Sequence, residues 1–473
     1  MKLYSENKNY KLYQGNMLDM LDVIEKESID SIVTDPPYGL TSITKRFGKE
    51  GSAPASTKNN DGSFARLSKG FMGKEWDGSG IEYNIDTWKK CYDVLKPGGY
   101  LLAFGGSRTF HRIACAIEDA GFEIRDTIMW LYGSGFPKSM DIEKALNKRD
   151  GVEFKSKPAS GVGFMNTNDD GYHNTIHRLE QIGDSSQRAK QWQGWGTALK
   201  PSFEPIIVAR KPFKGSLVDN VIENVVGGIN IDECRVETTD TYSYPNGGGG
   251  SSFGIGKGVD GTRIIPTESN PLGRFPANTI LTYDETDYQE VCGGMPQCHK
   301  AGNKNIANRR DYMTSTYKIP KENMRENPDF YGDSGSASRY FYCAKASKKD
   351  RDEGLDTFEQ EKVNDGRETP IDNAFQRGET LRKNTHPTVK PCDLMQYLVR
   401  LVTPDGGTIL DPFNGSGSTG KAVMYENKER NKDYKYIGIE LTEEYLPIAK
   451  ARIEYVCGNS TIKQEKLDLY DLD

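Results

Sequence analysis

The 473-residue sequence predicts an α/β protein built around a doubly wound, mostly parallel sheet. Three observations support this fold class. Short apolar strands alternate with helices near both ends of the chain, two of these strands end in unusual loop sequences, and a polar, glycine-rich stretch separates the two ends. We therefore expect both ends of the chain to contribute to one sheet, with the middle stretch inserted between them.

The N-terminal elements follow one another at the spacing of strand–helix–strand units. A strand at 29–34 is short and β-branched and is stopped by two prolines, which is typical of a buried parallel strand. A Lys-Pro-Gly-Gly sequence marks the end of a later helix. We expect helices at 19–27, 85–96 and 112–120, strands at 29–34, 100–104, 127–132 and 204–210, and a loop-like excursion over 133–202.

The last part of the chain regains this regularity as a further strand–helix–strand unit. Its first helix is strongly amphipathic and has proline near its start. A glycine-rich turn, Asn-Gly-Ser-Gly-Ser-Thr-Gly, follows the next strand. We expect helices at 386–404, 421–427 and 443–453, and strands at 408–413 and 434–440.

The composition argues against some classes of protein. Lys and Arg number 62 against 68 Asp and Glu, so the net charge of −6 disfavours a polycationic nucleic-acid binder, although a local basic face is compatible with it. Between residues 299 and 351, Lys and Arg are about twice as numerous as Asp and Glu and are interleaved with tyrosines. The chain has neither an apolar run long enough for a membrane span nor the apolar start of a signal peptide, so we expect a soluble, cytoplasmic protein.

The eight cysteines are scattered through the chain, which predicts reduced thiols rather than a disulfide framework. Cys292, Cys298 and His299 form the sharpest candidate for a metal site. Zinc ligands usually stand at tighter paired spacings, so we predict no metal while this candidate stays open.

The glycine-rich turn between 411 and 422 first resembles a phosphate-binding loop. Gly415, Gly420 and Lys421 match the loop pattern, with a strand before and a helix after it. Ala422, however, stands where such a loop needs a hydroxyl group to hold Mg²⁺. A phosphate site at this turn would therefore lack its metal ligand.

The same turn also fits a nucleoside site. Gly415 and Gly417 let the backbone approach a bulky ligand, and Phe413 offers an aromatic face. Glu440 ends the next strand, where a carboxylate can accept hydrogen bonds from a ribose diol. On these residues alone, a phosphate site, a nucleoside site and a turn without a ligand are all open.

The strand at 29–34 runs directly into Asp35-Pro36-Pro37-Tyr38. The exocyclic amine of a nucleobase is a poor nucleophile, because its lone pair is delocalised into the ring. The Asp35 carboxylate and the Pro36 carbonyl offer two acceptors for the amine hydrogens, and Pro37 has no N–H. Tyr38 offers an aromatic plane on which an extracted base can stack. The tetrapeptide therefore favours chemistry on a nucleobase amine over its alternative, a proline-rich turn with a capping Asp.

These segments together resemble the motifs of a known family. The sequence Asp-Pro-Pro-Tyr at 35–38, the turn at 411–420 and the strand end Tyr-Ile-Gly-Ile-Glu at 436–440 are the main points of similarity. They resemble the S-adenosylmethionine-dependent amino-DNA methyltransferases, in the motif order called the β class.

Two further segments add to this resemblance. The sequence His-Pro-Thr-Val-Lys-Pro at 386–391 resembles the segment that these enzymes carry before the glycine-rich turn. The segment at 14–21 resembles the one before the Asp-Pro-Pro-Tyr motif, with Asn16 where Asp is more usual. The resemblance covers residues 10–132 and 385–457.

The resemblance implies a Rossmann-like methyltransferase sheet in circularly permuted motif order, with a large polar target-recognition insert. It implies transfer of a methyl group from S-adenosylmethionine to the exocyclic amine of a flipped base, with adenine N6 favoured by the Asp-Pro-Pro-Tyr motif. Cytosine N4 is the alternative, followed by an RNA methyltransferase and a P-loop nucleotidase. Double-stranded DNA is the implied partner of this bacterial or phage protein, and a homodimer and a cognate restriction endonuclease stay open.

The resemblance also divides the chain into functional regions. Residues 1–211 would form the catalytic half of the methyltransferase domain, with the loop excursion at 133–202. Residues 212–381 would recognise the target, 382–457 would form the cofactor-binding half, and 458–473 would be an acidic tail.

The same resemblance assigns the candidate site residues. The catalytic residues are Asp35, Pro36, Pro37 and Tyr38. The cofactor-binding residues are Asn16, Asp35, Thr388, Asp411, Phe413, Asn414, Gly415, Gly417 and Glu440.

Overall fold

The computed structural model describes ten ranges of the chain, and the fold is given for these ranges. They are 2–39, 79–132, 139–158, 177–236, 272–283, 297–298, 335–336, 342–345, 348–363 and 380–458.

The strands of the described ranges are β1 (Lys2–Glu6), β2 (Tyr10–Gln14), β3 (Ile29–Thr34), β4 (Leu95–Phe104), β5 (Glu123–Tyr132), β6 (Glu153–Pro158), β7 (His177–Ile182), β8 (Phe203–Arg210), β9 (Thr279–Tyr283), β10 (Gln297–Cys298), β11 (Gly335–Ser336), β12 (Tyr342–Lys345), β13 (Glu361–Val363), β14 (Thr380–Arg382), β15 (Thr408–Asp411) and β16 (Lys435–Glu440). The α-helices are α1 (Met17–Met20), α2 (Ile85–Val94), α3 (Phe110–Asp119), α4 (Ile142–Arg149), α5 (Gln187–Lys190), α6 (Leu217–Asn224), α7 (Lys348–Asp352), α8 (Cys392–Val402), α9 (Ser418–Arg430) and α10 (Tyr445–Cys457). None of the helices in these ranges has the length and apolar content needed to cross a membrane.

Ten of these strands form one sheet, in the order β1-β2-β16-β15-β3-β4-β8-β5-β9-β12. β8 runs antiparallel to both of its neighbours, and β1 runs antiparallel to β2. The other neighbouring strands are parallel. The predicted fold class, a doubly wound and mostly parallel sheet, is therefore confirmed.

Strands from the two ends of the chain meet near the centre of this sheet. β15 pairs in parallel with β3, with Ile409 opposite Ser31. The Asp30 carboxylate of β3 also accepts a hydrogen bond of 2.7 Å from the backbone N–H of Thr408. Because β15 pairs in parallel with β16 as well, the carboxyl ends of β3, β15 and β16 lie at one edge of the sheet.

Each face of the sheet is covered by helices from one end of the chain. Buried side chains of α1, α2 and α3 form an apolar cluster with one face of the central strands. Buried side chains of α8, α9 and α10 form a second cluster with the opposite face. Along β4, Leu101 and Ala103 belong to the first cluster and Leu102 and Phe104 to the second, as the alternation of a strand requires.

The predicted strand boundaries hold well in the N-terminal half. β3 has the predicted bounds, 29–34. β4 begins at Leu95, five residues before the predicted start, because Gly98 and Gly99 continue the backbone pairing with Lys211. The preceding helix accordingly ends at Val94.

Two expectations for this half are wrong. The helix predicted at 19–27 is the single turn α1, which ends at Met20 and is followed by turns, and the left-handed backbone conformation of Glu27 (φ 54°) would not fit a helix that reached 27. The described part of the excursion at 133–202 contains α4, α5 and the antiparallel strand pair β6 and β7 instead of loop alone. Asn147 of α4 is bonded to Ser186 before α5, and such polar contacts leave no apolar periodicity in the sequence.

In the C-terminal half, the helix predicted at 386–404 begins later than expected. α8 starts at Cys392, with Pro391 at its N-cap. Residues 386–390 form an irregular connection outside any helix or strand, because proline disfavours helical geometry in the residue before it and prolines stand at 387 and 391. Residues of this connection therefore lie along the edge of the sheet where β3, β15 and β16 end.

The middle stretch, 212–381, takes part in the main sheet where it is described. β9 pairs in parallel with β5, and β12 pairs in parallel with β9 at one end of the sheet. α6 lies against β4, with the Asn220 amide next to Gly98. The assignment of this stretch to target recognition stays a prediction.

A buried ion pair between α8 and α9 leads to a prediction about stability. The Arg400 guanidinium donates to both carboxylate oxygens of Glu426, at 3.0 and 2.5 Å, and both side chains are buried. Glu426→Gln removes the counter-charge, so we expect it to lower the free energy of unfolding by about 3 kcal/mol in urea denaturation. The matched control is Asp93→Asn, which breaks an exposed pair with Lys89 and should cost less than about 0.5 kcal/mol. Equal effects of the two variants would contradict the prediction.

Candidate active site

A cavity of about 1240 Å³ opens at the edge where β3, β15 and β16 end. Both of the motifs that the sequence singles out line it. The predicted site residues in its wall are Asn16, Asp35, Pro36, Pro37, Tyr38, Thr388, Asp411, Phe413, Asn414, Gly415 and Glu440. The cavity therefore brings together all of the predicted site residues except Gly417.

Asp35 directly follows β3, and its two carboxylate oxygens differ in their hydrogen bonding. Oδ2 accepts a hydrogen bond of 2.6 Å from Nζ of Lys390. Oδ1 is buried and accepts no hydrogen bond from the residues that the structure describes. Burial raises the pKa of Asp35, against the opposing effect of the positive charge on Lys390. An unpaired buried acceptor is costly unless a ligand satisfies it, so Oδ1 marks a place for a hydrogen-bond donor.

Tyr38 is held in place at both ends. Its hydroxyl donates to Oε2 of Glu204 at 2.7 Å. Its carbonyl accepts hydrogen bonds from the hydroxyls of Thr109 and Tyr83, at 2.8 and 3.0 Å. Burial, followed by the nearby charges of Asp35 and Glu204, raises the pKa of Tyr38, so the phenol stays neutral. The ring is a fixed aromatic surface in the wall of the cavity.

The glycine-rich turn is bonded to Glu440 at the end of β16. The backbone N–H of Gly415 donates to Oε2 of Glu440, and the N–H of Thr442 donates to Oε1, both at 2.7 Å. Gly415 has a φ of 52°, and a side chain there would lie 2.9 Å from Nε2 of His386. Burial raises the pKa of Glu440 to about 7. Its carboxylate holds the turn and keeps a second lone pair on each oxygen.

Gly417 lies behind the turn rather than in the cavity wall. It has a φ of 76°, and a Cβ there would lie 3.0 Å from Ala449 of α10. From the same helix, the buried Arg452 donates to the carbonyl of Ser416 at 2.6 Å. The structure thus gives Gly417 a packing role, and its predicted contact with a cofactor stays a prediction.

Asp411 and Asn414 are occupied by bonds within the protein. Asp411 accepts hydrogen bonds of 2.7 Å from the hydroxyls of Thr34 and Thr419, and burial raises its pKa to about 6. Asn414 accepts from the hydroxyl of Tyr436 at 2.8 Å through its side-chain oxygen. Both residues tie neighbouring elements together beneath the cavity.

The other predicted cofactor residues line the cavity, and they differ in how far contacts within the protein already occupy their side chains. Asn16 is the N-cap of α1, where its side-chain oxygen accepts from the N–H of Leu18 at 3.0 Å. The Phe413 ring packs 6.4 Å from that of Trp88, centroid to centroid. Thr388 is exposed in the irregular connection before α8. Cofactor contacts of these side chains stay predictions.

Sequence reasoning assigned no role to three residues of the cavity wall, Lys390, Glu204 and His386. Lys390 and His386 belong to the segment at 386–391 described above. Glu204 stands directly before the apolar run 205–209 of β8, and a charged residue at that position is the signal that could have found it. The imidazole of His386 packs edge-on against Tyr445, with ring centroids 4.6 Å apart. Burial lowers the pKa of His386 to about 3, so this ring is neutral at physiological pH.

The structure contradicts the phosphate-loop alternative at its lysine. Lys421 is buried and does not line the cavity. Its ammonium bonds the carboxylates of Asp350 and Glu353, at 2.8 and 2.7 Å. A lysine enclosed by two carboxylates is not available to a phosphate, so this interpretation of the turn is wrong.

The metal candidate falls mostly outside the described ranges. Cys292 and His299 lie outside them, and Cys298 is in β10. In the part of the chain that the structure describes, no group of three or more His, Cys, Asp or Glu side chains is arranged to hold a metal ion.

The sequence matches the model of one protein family. Residues 29–227 and 262–451 match the family of N6/N4 methyltransferases, described as DNA methylase. The two ranges together cover more than half of the chain and include both motifs.

Individual relatives are more distant. The Type II methyltransferase M.HindIII of Haemophilus influenzae is 26% identical over 238 residues, which are 46% of this chain and 64% of the relative's length. The Type II methyltransferase M2.LlaDCHI of Lactococcus lactis subsp. cremoris is 25% identical over 255 residues, 48% of this chain and 84% of the relative. Among solved structures, the cytosine-N4-specific PvuII DNA methyltransferase aligns with 99% of this chain and 95% of its own, with 12% identity and a TM-score of 0.38. The family assignment therefore rests on the sequence match alone.

The position of Lys421 predicts that the turn does not bind a nucleoside triphosphate. Calorimetric titration with MgATP should give no saturable heat. Lys421→Met should lower the free energy of unfolding by about 3 kcal/mol, because Asp350 and Glu353 lose their buried counter-charge. Saturable MgATP binding that disappears in Lys421→Met would contradict this assignment.

Proposed function

The chain belongs to the family of N6/N4 DNA methylases, and from that premise we propose that it methylates the N6 amine of adenine in double-stranded DNA, with S-adenosylmethionine as methyl donor. One observation carries the proposal. In the wall of the cavity that the glycine-rich turn also lines, Asp35 presents a buried oxygen that has no hydrogen-bond partner among the described residues. An acceptor for an amine hydrogen and a site for a nucleoside cofactor thus share one cavity.

The residues present fit S-adenosylmethionine. The cavity of about 1240 Å³ exceeds the roughly 300–1,000 Å³ that a single small ligand usually occupies, so it has room for a cofactor and a base. We propose that the cofactor binds over the turn at 413–417, with the free lone pairs of Glu440 toward its ribose hydroxyls and Asn16 and Thr388 at its edges. When bound, the cofactor supplies a methyl group that its sulfonium has already activated.

The work of the protein is then to orient the amine and to stabilise charge on it. Oδ1 of Asp35 and the carbonyl of Pro36 accept its two hydrogens, which favours a tetrahedral nitrogen with an available lone pair. The carboxylate also stabilises the positive charge that develops on the nitrogen as the methyl group leaves its donor, and the methylated amine then releases one of its two protons to solvent. A histidine base is not needed for this, in agreement with the neutral, partly buried ring of His386.

Tyr38 supports the base that enters the cavity. A base inside a duplex is out of reach of a buried carboxylate, so the target nucleotide must be flipped out of the stack. The Tyr38 ring is fixed through Glu204, Thr109 and Tyr83, and a fixed ring stacks on a base with little loss of side-chain entropy.

The resemblance favours adenine over cytosine, because the Asp-Pro-Pro-Tyr form of the motif at 35–38 is commoner in the adenine-N6 enzymes of the family and Ser-Pro-Pro-Tyr in the cytosine-N4 enzymes. Both amines carry two hydrogens and fit the same acceptors, so the chemistry itself does not separate them. We further propose that the middle stretch, 212–381, reads the DNA sequence through its basic, tyrosine-rich part. A homodimer and a cognate restriction endonuclease stay predictions.

The proposed reaction is tested by identifying its product. Purified protein is incubated with duplex DNA and S-adenosylmethionine carrying a radioactive methyl group, and the DNA is digested to nucleosides for mass spectrometry. We expect N6-methyl-2′-deoxyadenosine. Asp35→Ala should lower kcat by at least about 10²-fold, because it removes the charge-stabilising acceptor, and should leave cofactor binding nearly unchanged. Lys390 keeps Glu204 as a counter-charge at 3.5 Å in this variant, so folding should be retained.

The control for this experiment is Asp93→Asn, an exposed carboxylate outside the cavity, which should retain full activity. N4-methyl-2′-deoxycytidine as the product would overturn the assignment to adenine. Near-normal turnover by Asp35→Ala would overturn the role of Asp35. Absence of any methylated nucleoside with the wild-type protein and a range of DNA sequences would overturn the proposed function.

Cofactor binding should depend on pH through Glu440. In the free protein the pKa of Glu440 is about 7, and ribose hydroxyls donate more strongly to its ionised form. Binding therefore favours deprotonation, and affinity should fall as pH falls through about 7, by up to about tenfold per pH unit. The dissociation constants of wild type and Glu440→Gln are measured by calorimetry from pH 5.5 to 8.5. Their ratio is then compared across pH, because the titration of the cofactor itself affects both proteins equally and drops out of the ratio. A ratio that is constant with pH would contradict the role given to Glu440.

A further inference from the structure

We propose that Lys390 is a positioning residue for methyl transfer: it holds one oxygen of Asp35, so that the other oxygen alone is left for the substrate amine. This inference rests on the proposed function and concerns the same cavity. It adds a residue from the C-terminal half of the chain to the catalytic motif of the N-terminal half.

The Lys390 ammonium is fixed from several sides. Its Nζ lies 2.6 Å from Oδ2 of Asp35 and 3.5 Å from Oε2 of Glu204. It also lies 5.3 Å from the centroid of the Tyr38 ring and 5.0 Å from that of Phe104, within the range of cation–π attraction. The side chain is 7% exposed. A buried ammonium with this set of partners has little freedom to move away from Asp35.

This arrangement makes the two oxygens of Asp35 unequal. Oδ2 is bonded to Lys390, whereas the buried Oδ1 has no partner among the described residues. Without Lys390, Asp35 would keep a hydrogen bond with the Tyr38 side chain but lose its buried ion pair, so its carboxylate could rotate and present either oxygen. The lysine therefore selects the acceptor and fixes the plane of the carboxylate, and such orientation is a large part of what an enzyme contributes to a transfer reaction.

Lys390 also controls the charge on Asp35. The charged or titratable groups that face Asp35 are Lys390, Glu204, Tyr38 and Asp411. Burial raises the pKa of Asp35, Lys390 lowers it, and the negative charge of Glu204 raises it again. Burial also lowers the pKa of Lys390, but the carboxylates of Asp35 and Glu204 raise it, and the net direction is upward. Because Lys390 and Glu204 act on Asp35 in opposite directions, removing each one should have an opposite effect.

The competing explanation is a purely structural brace. Lys390 joins the irregular connection before α8 to the end of β3 and the start of β8, so its loss could simply loosen the fold. The chain offers a matched control at the other end of β3. There Lys96 bonds Oδ1 of Asp30 at 2.7 Å, so the pair has the same residue types and a similar length but lies outside the cavity wall.

The experiment measures kcat against pH, from 5.5 to 9, at saturating cofactor and DNA. The variants are Lys390→Met, Lys390→Arg, Glu204→Gln and Lys96→Met. Activity requires ionised Asp35, so Lys390→Met should move the acid limb of the profile up by about one pH unit and lower kcat near the limb about tenfold. Glu204→Gln should move the acid limb to lower pH. Lys390→Arg, which keeps the positive charge, should leave the acid limb at its wild-type position. Lys96→Met should lower thermal stability and leave the acid limb in place.

A second measurement does not depend on methyl transfer. The protein is labelled with ¹³C at the aspartate carboxyl carbons, and the Asp35 signal is identified by its absence in Asp35→Asn. Its titration should move to higher pH in Lys390→Met and to lower pH in Glu204→Gln. These shifts test Lys390 even if the wild-type protein methylates no DNA, a result that would overturn the proposed function alone.

Three results would overturn the inference. One is a titration of Asp35 that is the same in Lys390→Met as in wild type. Another is a loss of activity in Lys390→Met that matches Lys96→Met, with an unshifted acid limb, because that is the result of a structural brace. The third is a cofactor dissociation constant that rises more than tenfold in Lys390→Met while kcat is retained, which would make Lys390 a cofactor-binding residue.

Discussion

The parallel pairing of β3 with β15 is the constraint on which the rest of the structure depends. These strands come from opposite ends of the chain, and the ladder between them is short, with Ile409 opposite Ser31 and Leu410 opposite Ile32. The carboxyl ends of parallel strands meet at the same edge of a sheet, so this pairing alone puts the loop after β3 beside the turn after β15. The Thr34 hydroxyl then bonds the Asp411 carboxylate across the junction. Without this register the acceptor motif and the glycine-rich turn would not share a cavity.

The same edge concentrates buried charge, and nearly all of it is paired. Glu440 accepts two backbone N–H groups, Asp411 accepts two hydroxyls, and Lys390 lies between Asp35 and Glu204. Burial of a charge is tolerated only with such partners, because the solvation that it loses is worth several kcal/mol. Against that background, Oδ1 of Asp35, which has no hydrogen-bond partner among the described residues, is the acceptor that we propose for the substrate amine. The completed bonds around it fix the residues that surround this acceptor.

Much of the sheet, and the part of the site at strand ends, could be predicted from the sequence because local patterns carry that information. The strand at 29–34 and its terminal Asp35 are examples, as is Glu440 after β16. Lys390 could not be placed in this way, since it meets Asp35 across 355 positions of chain. Glu204 was not predicted for a different reason. Because β8 runs antiparallel to its neighbours, the beginning of this strand, rather than its end, lies at the edge of the sheet that carries the cavity. A rule that looks for side chains after strands misses a side chain at the start of a reversed one.

The two halves of the chain also depend on each other through the faces of the sheet. Helices α1, α2 and α3 from the N-terminal half cover one face, and α8, α9 and α10 from the C-terminal half cover the other. A mostly parallel sheet has apolar side chains on both faces, so each half alone would expose the apolar face that the other half covers. The order of the halves along the chain is then of little consequence, because strand pairing and face coverage fix the fold. That independence from chain order explains how an acceptor motif that precedes the glycine-rich turn by more than 370 positions can still stand next to it.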